Sequence, residues 1–291
     1  MAHLVSTLAF QGKTPWHGLG IPANDDWTFE QWRANAGLNF TVLSEPVRWN
    51  NNLFPNRHIL YRSDNQFPLS IVSKDYHIVQ PEEIWNFFTD LINLNDYQFE
   101  VAGALLGGKR IWVLARINDG AEVRKNDKIL PYLLLATSYD ASMATIAKFT
   151  TIRVVCNNTL TMATGTEGIN DVRLYHNVRF DPDKIKQTLG LKSSTWNAFM
   201  NSLRSMDSVG MNDKLAKEFM VEVVEPDSRA FKAIMANFSQ IPSATAWDLL
   251  NSVTNYVDFY KGRNDNSRLN SAWFGEGEKL KQKAYQLLTE M

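Results

Sequence analysis

The sequence has a single cysteine, Cys156, in 291 residues. This excludes an intramolecular disulfide and any cysteine-rich zinc centre. Long apolar runs are also missing: none approaches the about 20 residues that a helix needs to cross a bilayer. The first ten residues carry neither a basic n-region nor a long apolar h-region, so the sequence predicts no signal peptide and a soluble, cytoplasmic product. Charge of one sign is not in excess, with 30 Lys and Arg against 31 Asp and Glu. A uniformly basic nucleic-acid coat protein is thereby excluded, while a locally basic face is not. The five histidines (His3, His17, His58, His77 and His176) include no pair at i, i+4 metal-ligand spacing. The neighbouring carboxylates Asp25-Asp26 and Glu82-Glu83 point apart on any regular element, and the second pair reads as a helix start. No repeat or low-complexity tract interrupts the chain.

What remains is an ordinary globular composition, with 44% hydrophobic and 21% charged residues, enough for one large domain or two modest ones. Nine tryptophans are many for this length, but aromatic rings serve cores, interfaces and base stacking alike, so their placement matters more than their number. Charge is unevenly spread. Residues 1–102 hold 6 basic and 11 acidic side chains, whereas residues 103–180 hold 10 basic and 6 acidic. An anionic partner would therefore meet the middle of the chain.

The pattern predicts an α+β fold: a central antiparallel β-sheet with a flanking helix, followed by an all-helical C-terminal region. Residues 1–45 read as a Gly-, Pro- and Trp-rich N-terminal arm with a turn at Thr14-Pro15-Trp16-His17-Gly18-Leu19-Gly20 and a short helix capped by Thr28. Residues 46–180 read as a β-rich core domain. It has short strands at 57–62, 69–72 and 76–79, then a helix opened by Pro81 and running to Asn93. A hairpin over 97–117 turns at Gly107-Gly108, and strands follow at 129–139, 144–156 and 171–180, with a helical turn over 157–163. Residues 181–291 read as a chain of amphipathic helices beginning at Pro182.

Gly103-Ala104-Leu105-Leu106-Gly107-Gly108-Lys109 fills seven positions of a phosphate-binding loop. The eighth is Arg110, where magnesium requires a hydroxyl, and a strand follows where a helix N-terminus belongs. A hairpin turn explains the segment better. Cys156 follows two valines on a strand with no base nearby, as an inert buried thiol would. His176 falls on the apolar side of its strand, as a hydrogen-bonded core histidine.

Strand alternation is more informative. In 109–117, Ile111, Val113 and Ile117 form one side and Arg110, Trp112 and Arg116 the other, with Leu114 as an exception. In 171–180, Val172, Leu174, His176, Val178 and Phe180 oppose Arg173, Tyr175, Asn177 and Arg179. An Arg–aromatic–Arg face suits single-stranded nucleic acid, because guanidinium groups track phosphates while rings stack on bases. Lys148 and Arg153 extend the same patch. Its rival reading is an ordinary solvated sheet face with cation–π pairs, or one covered by the helical region.

The chain resembles the phage/plasmid-like family of uncharacterised proteins. The matching stretches are the Thr14–Gly20 turn, Thr151-Ile152-Arg153-Val154-Val155-Cys156-Asn157-Asn158-Thr159-Leu160, Ala246-Trp247-Asp248-Leu249-Leu250-Asn251 on to Tyr256-Val257-Asp258, and Ser267-Arg268-Leu269-Asn270-Ser271-Ala272-Trp273-Phe274-Gly275. No catalytic residues are established for that family, so none is carried over. The order helix, hairpin, antiparallel strands, helix is also similar in topology to the core of single-strand-annealing recombinases, an analogy of fold alone. It implies rings or filaments that hold a strand along a basic groove. Together these readings lead to the expectation of a non-enzymatic, cofactor-free homo-oligomer. It would bind and anneal single-stranded DNA in phage or plasmid recombination through Arg110, Trp112, Arg116, Lys148, Arg153, Arg173, Tyr175 and Arg179, without membrane contact. The alternative is a phage-encoded module that engages a host protein such as a defence factor. Lys109 is expected to support no ATP hydrolysis, and a turnover assay that lost its signal in Lys109→Ala would contradict this.

Overall fold

In the computed structural model of the chain, the structure describes residues 5–12, 20–93, 97–117, 119–153, 159–161, 171–189, 193–263, 268, 271–273 and 275–291. Two compact units emerge: Met1–Asn118, Tyr132–Lys148 and Asp171–Gly190 form the first, and Asp119–Pro131, Phe149–Asn170 and Leu191–Met291 the second.

The first unit contains strands β1 (Val5–Phe10) and β2 (Ile21–Pro22), helix α1 (Phe29–Asn35), strands β3 (Val42–Trp49), β4 (Asn52–Arg62) and β5 (Pro68–Ser73), helix α2 (Pro81–Asn93), and strands β6 (Gln98–Leu105) and β7 (Arg110–Arg116). Strand β8 (Ala121–Arg124) belongs to the second unit, and β9 (Asp127–Ser138) and β10 (Thr145–Arg153) contribute residues to both. Strand β12 (Asp171–Leu174) and helix α3 (Pro182–Leu189) complete the first. Its larger sheet runs β10-β9-β7-β6-β1-β2, with β12 beside β10, and β3-β4-β5 form a separate three-stranded sheet. Strand β7 is antiparallel to β6 and β9, while β1 and β2 are parallel. Antiparallel sheets joined to a helical C-terminal region make the fold α+β, as the residue pattern predicts.

The core of this unit collects around Phe99. The Trp85 ring stacks on it at 4.4 Å, and Trp32, Phe29 and Phe88 close in at 5.6, 5.9 and 6.3 Å. Helices α1 and α2 supply these rings because their starts are well specified. Thr28 and Gln31 form a reciprocal capping box, and Pro81 opens α2 with Glu82 and Glu83 in its first turn.

Residues 5–10, expected in a separate arm, are instead a strand of the main sheet, with Ala9 opposite Ala102. The β6–β7 hairpin closes through four residues, 106–109, rather than a two-residue turn. Leu106, Gly107 and Gly108 all have positive φ, at 55°, 72° and 101°. Packing imposes this: the Phe67 ring would lie 2.6 Å from a Cβ on Gly107, and the Arg62 guanidinium 2.8 Å from one on Gly108. Tyr76 to Val79 forms no strand, and residues 159–161, expected as a helical turn, form strand β11 (Thr159–Thr161). The Thr14–Leu19 turn and Cys156 lie outside the described residues.

The second unit holds helices α4 (Ser193–Ser208), α5 (Asp213–Val223), α6 (Arg229–Phe238), α7 (Ala246–Asn255) and α8 (Glu276–Thr289), with a π-helical turn at Tyr256–Tyr260. Arg124 donates to Asp207 at 3.1 Å and to Asp248 at 2.6 Å, and Asp248 also accepts from the Thr245 backbone N–H at the start of α7. Burial opposes the Asp248 charge, but the bonds from Arg124 and Thr245 outweigh it and hold the carboxyl below its ordinary range. The Trp247 indole donates to Asp127 at 3.0 Å. No helix among the described residues is long and apolar enough to cross a membrane.

Gly108→Ala is expected to destabilise the fold by about 1–3 kcal/mol in denaturant titration, because alanine strains at this φ and displaces Arg62. Gly210→Ala, where an added methyl meets nothing within 4 Å, serves as the silent comparison.

Candidate nucleic-acid interface

Strand register fixes which side chains share a face, since directly paired residues project to the same side. Trp112 lies opposite Gly103 on β6 and Ala136 on β9. A Cβ on Gly103 would approach the Trp112 ring to 2.9 Å, so glycine at this position lets the indole lie across its neighbour. Arg110 and Arg116 flank Trp112 on the same face. Arg110 Nε donates to Ser142 Oγ at 3.0 Å, and Arg116 donates to Gln98, its partner across the strands.

The opposite face carries Ile111, Val113 and Thr137, and the Thr137 and Thr145 hydroxyls bond at 2.7 Å. Thr145 and Ala147 therefore lie on the side of Ile111. Ile146, Lys148 and Arg173, which is paired with Ile146, fall on the side of Trp112. The sheet thus gathers Arg110, Trp112, Arg116, Lys148 and Arg173 on one face.

That face is not a uniform open groove. Leu114, Leu134, Ala136, Ile146 and Lys148 are all buried, Lys148 to 4% exposure. This corrects the expectation for Lys148: four apolar neighbours close the centre of the face, and a buried ammonium is not placed to track phosphates. Arg110, Trp112 and Arg116 are half-buried, and Arg173 is exposed. Arg153 ends β10 in the second unit, and its side chain lies outside the described residues. Beside Arg116, Glu100 occupies a bulge in β6 and accepts from the Tyr132 hydroxyl at 3.4 Å. Burial raises its pKa, against the pull of the Arg116 charge.

Tyr175 and Arg179 are not on a strand. Strand β12 stops at Leu174, and the Val178 N–H donates to the Tyr175 carbonyl in a turn. The cause is His176. Its ring stacks on Tyr76 at 4.3 Å, Nδ1 and Nε2 lie 3.2 and 3.1 Å from the carbonyls of His77 and Met143, and its own carbonyl accepts from the His77 N–H. The exposure pattern expected of a strand continues only as far as Asn177. Val172, Leu174 and His176 are half-buried and Arg173, Tyr175 and Asn177 exposed, but Val178, expected on the apolar side, is exposed like Arg179, and Phe180 is half-buried. Among the described residues no group of three His, Cys, Asp or Glu side chains is placed to hold a metal ion.

Among the exposed rings that escape the sequence reading, two stand at one hairpin tip. Trp49 and Phe54 are 69% and 52% exposed at the end of the β3–β4 hairpin. The signal was Asn50-Asn51, a pair that tolerates left-handed backbone, between two β-like runs.

These features define an α+β protein with a mixed basic and aromatic surface on its first unit. The chain belongs to the family of the domain of unknown function DUF932, which matches residues 68–273. No curated protein and no solved structure matches it.

Burial lowers the pKa of His176 despite its two carbonyl neighbours. The unfolded chain therefore takes up this proton more readily than the folded one. The stability margin of the wild type over His176→Gln is expected to be complete above the ordinary histidine range and to shrink as pH falls through about 6.5. Parallel denaturant titrations at pH 7.5 and 5.5 measure it, and a margin that widens on acidification would show the opposite shift.

Proposed function

We propose that the chain is a non-enzymatic, cofactor-free homo-oligomer that binds single-stranded DNA and promotes annealing of strands in phage or plasmid recombination, within the bacterial cytoplasm. One observation carries this reading. Strand β12 and the turn that follows it expose Arg173, Tyr175 and Arg179 together, with Tyr175 68% exposed. Packing makes little use of that ring, whereas a polyanion with unpaired bases uses all three groups: two guanidinium charges for phosphates and a π-face between them. Arg110, Trp112 and Arg116, half-buried on the same side of the sheet and separated from Arg173 by its closed centre, would serve as a second, lesser contact. The mechanism is electrostatic. Phosphates are neutralised, the strand is held extended, and base edges are left available for pairing. Ring or filament assembly would repeat this short surface along a strand.

The test is binding of oligo(dT) across a salt series. Arg173→Ala/Arg179→Ala should weaken binding and flatten the log–log salt dependence by about 0.7 for each lost phosphate contact. Tyr175→Ala should cost about 1–3 kcal/mol with little change in slope. Folded variants with unchanged affinity and slope would remove this surface from consideration.

A further inference from the structure

The β3–β4 hairpin lies outside the family match, which begins at residue 68. Its two strands meet at Trp49 opposite Asn52, with Asn50 and Asn51 at φ 47° and 65°, a two-residue turn with both central residues left-handed. From this register, Trp49 and Asn52 project from one side of the ribbon and Arg48 and Leu53 from the other, while Phe54 begins an irregular stretch in which residues 54–57 of β4 stand against Val47 alone. Residues 44–46, 48–49 and 52–57 are exposed, so the distal half of the hairpin is a ribbon in solvent.

Its chemistry is selective. From Pro46 to His58 there is no carboxylate, while Arg48, Arg57 and four asparagines are present. The nearest acid, Glu45, accepts a hydrogen bond from the Tyr61 hydroxyl. Arg48 reaches back over the turn towards the Asn51 carbonyl at 3.4 Å. The apolar groups are divided, with Trp49 on one side of the turn and Leu53 on the other. A narrow ribbon tip with two exposed rings, two arginines and no carboxylate from Pro46 to His58 matches unpaired bases on a polyanionic strand.

We propose that this hairpin tip is a stacking finger for single-stranded nucleic acid, in which Trp49 and Phe54 lie against bases and Arg48, whose guanidinium reaches over the turn, and Arg57 lie against the adjoining phosphates. It rests on the strand-binding reading above and adds a second contact element to it, built from different residues.

The experiment compares oligo(dT) binding by the full chain, Trp49→Ala/Phe54→Ala and Trp49→Phe, with folding followed by circular dichroism and particle mass by light scattering. The alanine pair should weaken binding between about fivefold and about a hundredfold for each ring. Its salt slope and mass should stay unchanged, and Trp49→Phe should retain most of the affinity. If the full chain binds and the folded alanine pair binds equally well, the finger is overturned while strand binding stands. If the full chain does not bind oligo(dT), both fall. A loss of binding accompanied by a smaller particle would assign the tip to contacts between copies and overturn the finger.

Discussion

Arg62 ties the first unit together. It ends β4, is nearly buried, and sits with its guanidinium 3.9 Å from the centre of the Phe40 ring. A two-pronged pair to Asp64 at 2.9 and 2.6 Å satisfies part of its charge, and Nη1 donates to the Gly107 carbonyl at 3.1 Å. The Arg62 hydrogen bonds hold the Asp64 carboxyl below its usual range. A buried charge with one partner removed is strongly destabilising, even where the intact pair contributes little net stability. This side chain therefore constrains both sheets at once. It anchors the base of the β3–β4 hairpin and fixes the turn from which β7 departs with Arg110 and Trp112.

The two glycines of that turn follow from the same constraint. They resemble part of a phosphate-binding loop in sequence, but their positive φ angles and the closeness of Phe67 and Arg62 show a turn shaped by side-chain packing. The second unit uses a comparable device. Arg124 gathers Asp127, Asp207 and Asp248, and fully buried Lys281 donates to Asp258 in the π-helical turn at 3.0 Å. Such pairs cost solvation and return it only when the geometry is met, so each specifies one arrangement of the elements it joins.

Several parts of the chain were legible directly. Thr28, Pro81 and Pro182 announce helices through local chemistry that needs no distant partner, and alternation along 109–117 separates the buried Ile111 and Val113 from Arg110, Trp112 and Arg116. The exposure of Arg173, Tyr175 and Arg179 was equally readable. Less legible was the length of β12, because alternation continues past Leu174 although the strand does not. The burial of Lys148 was hidden too, since a lysine on a strand usually marks a solvated position.

The residue order by itself determined the α+β class, the helix starts and the alternating faces, all of which depend on neighbours within a few positions. Tertiary structure alone decided where β12 ends, which part of the Trp112 face is closed, and that the β3–β4 ribbon reaches solvent. Those outcomes depend on contacts between residues far apart in sequence. His176 is held by the carbonyl of His77, 99 positions away, and Arg62 by that of Gly107, 45 positions away. A local pattern sets which side chains turn inward together, but which neighbour closes over them is decided only when distant segments meet.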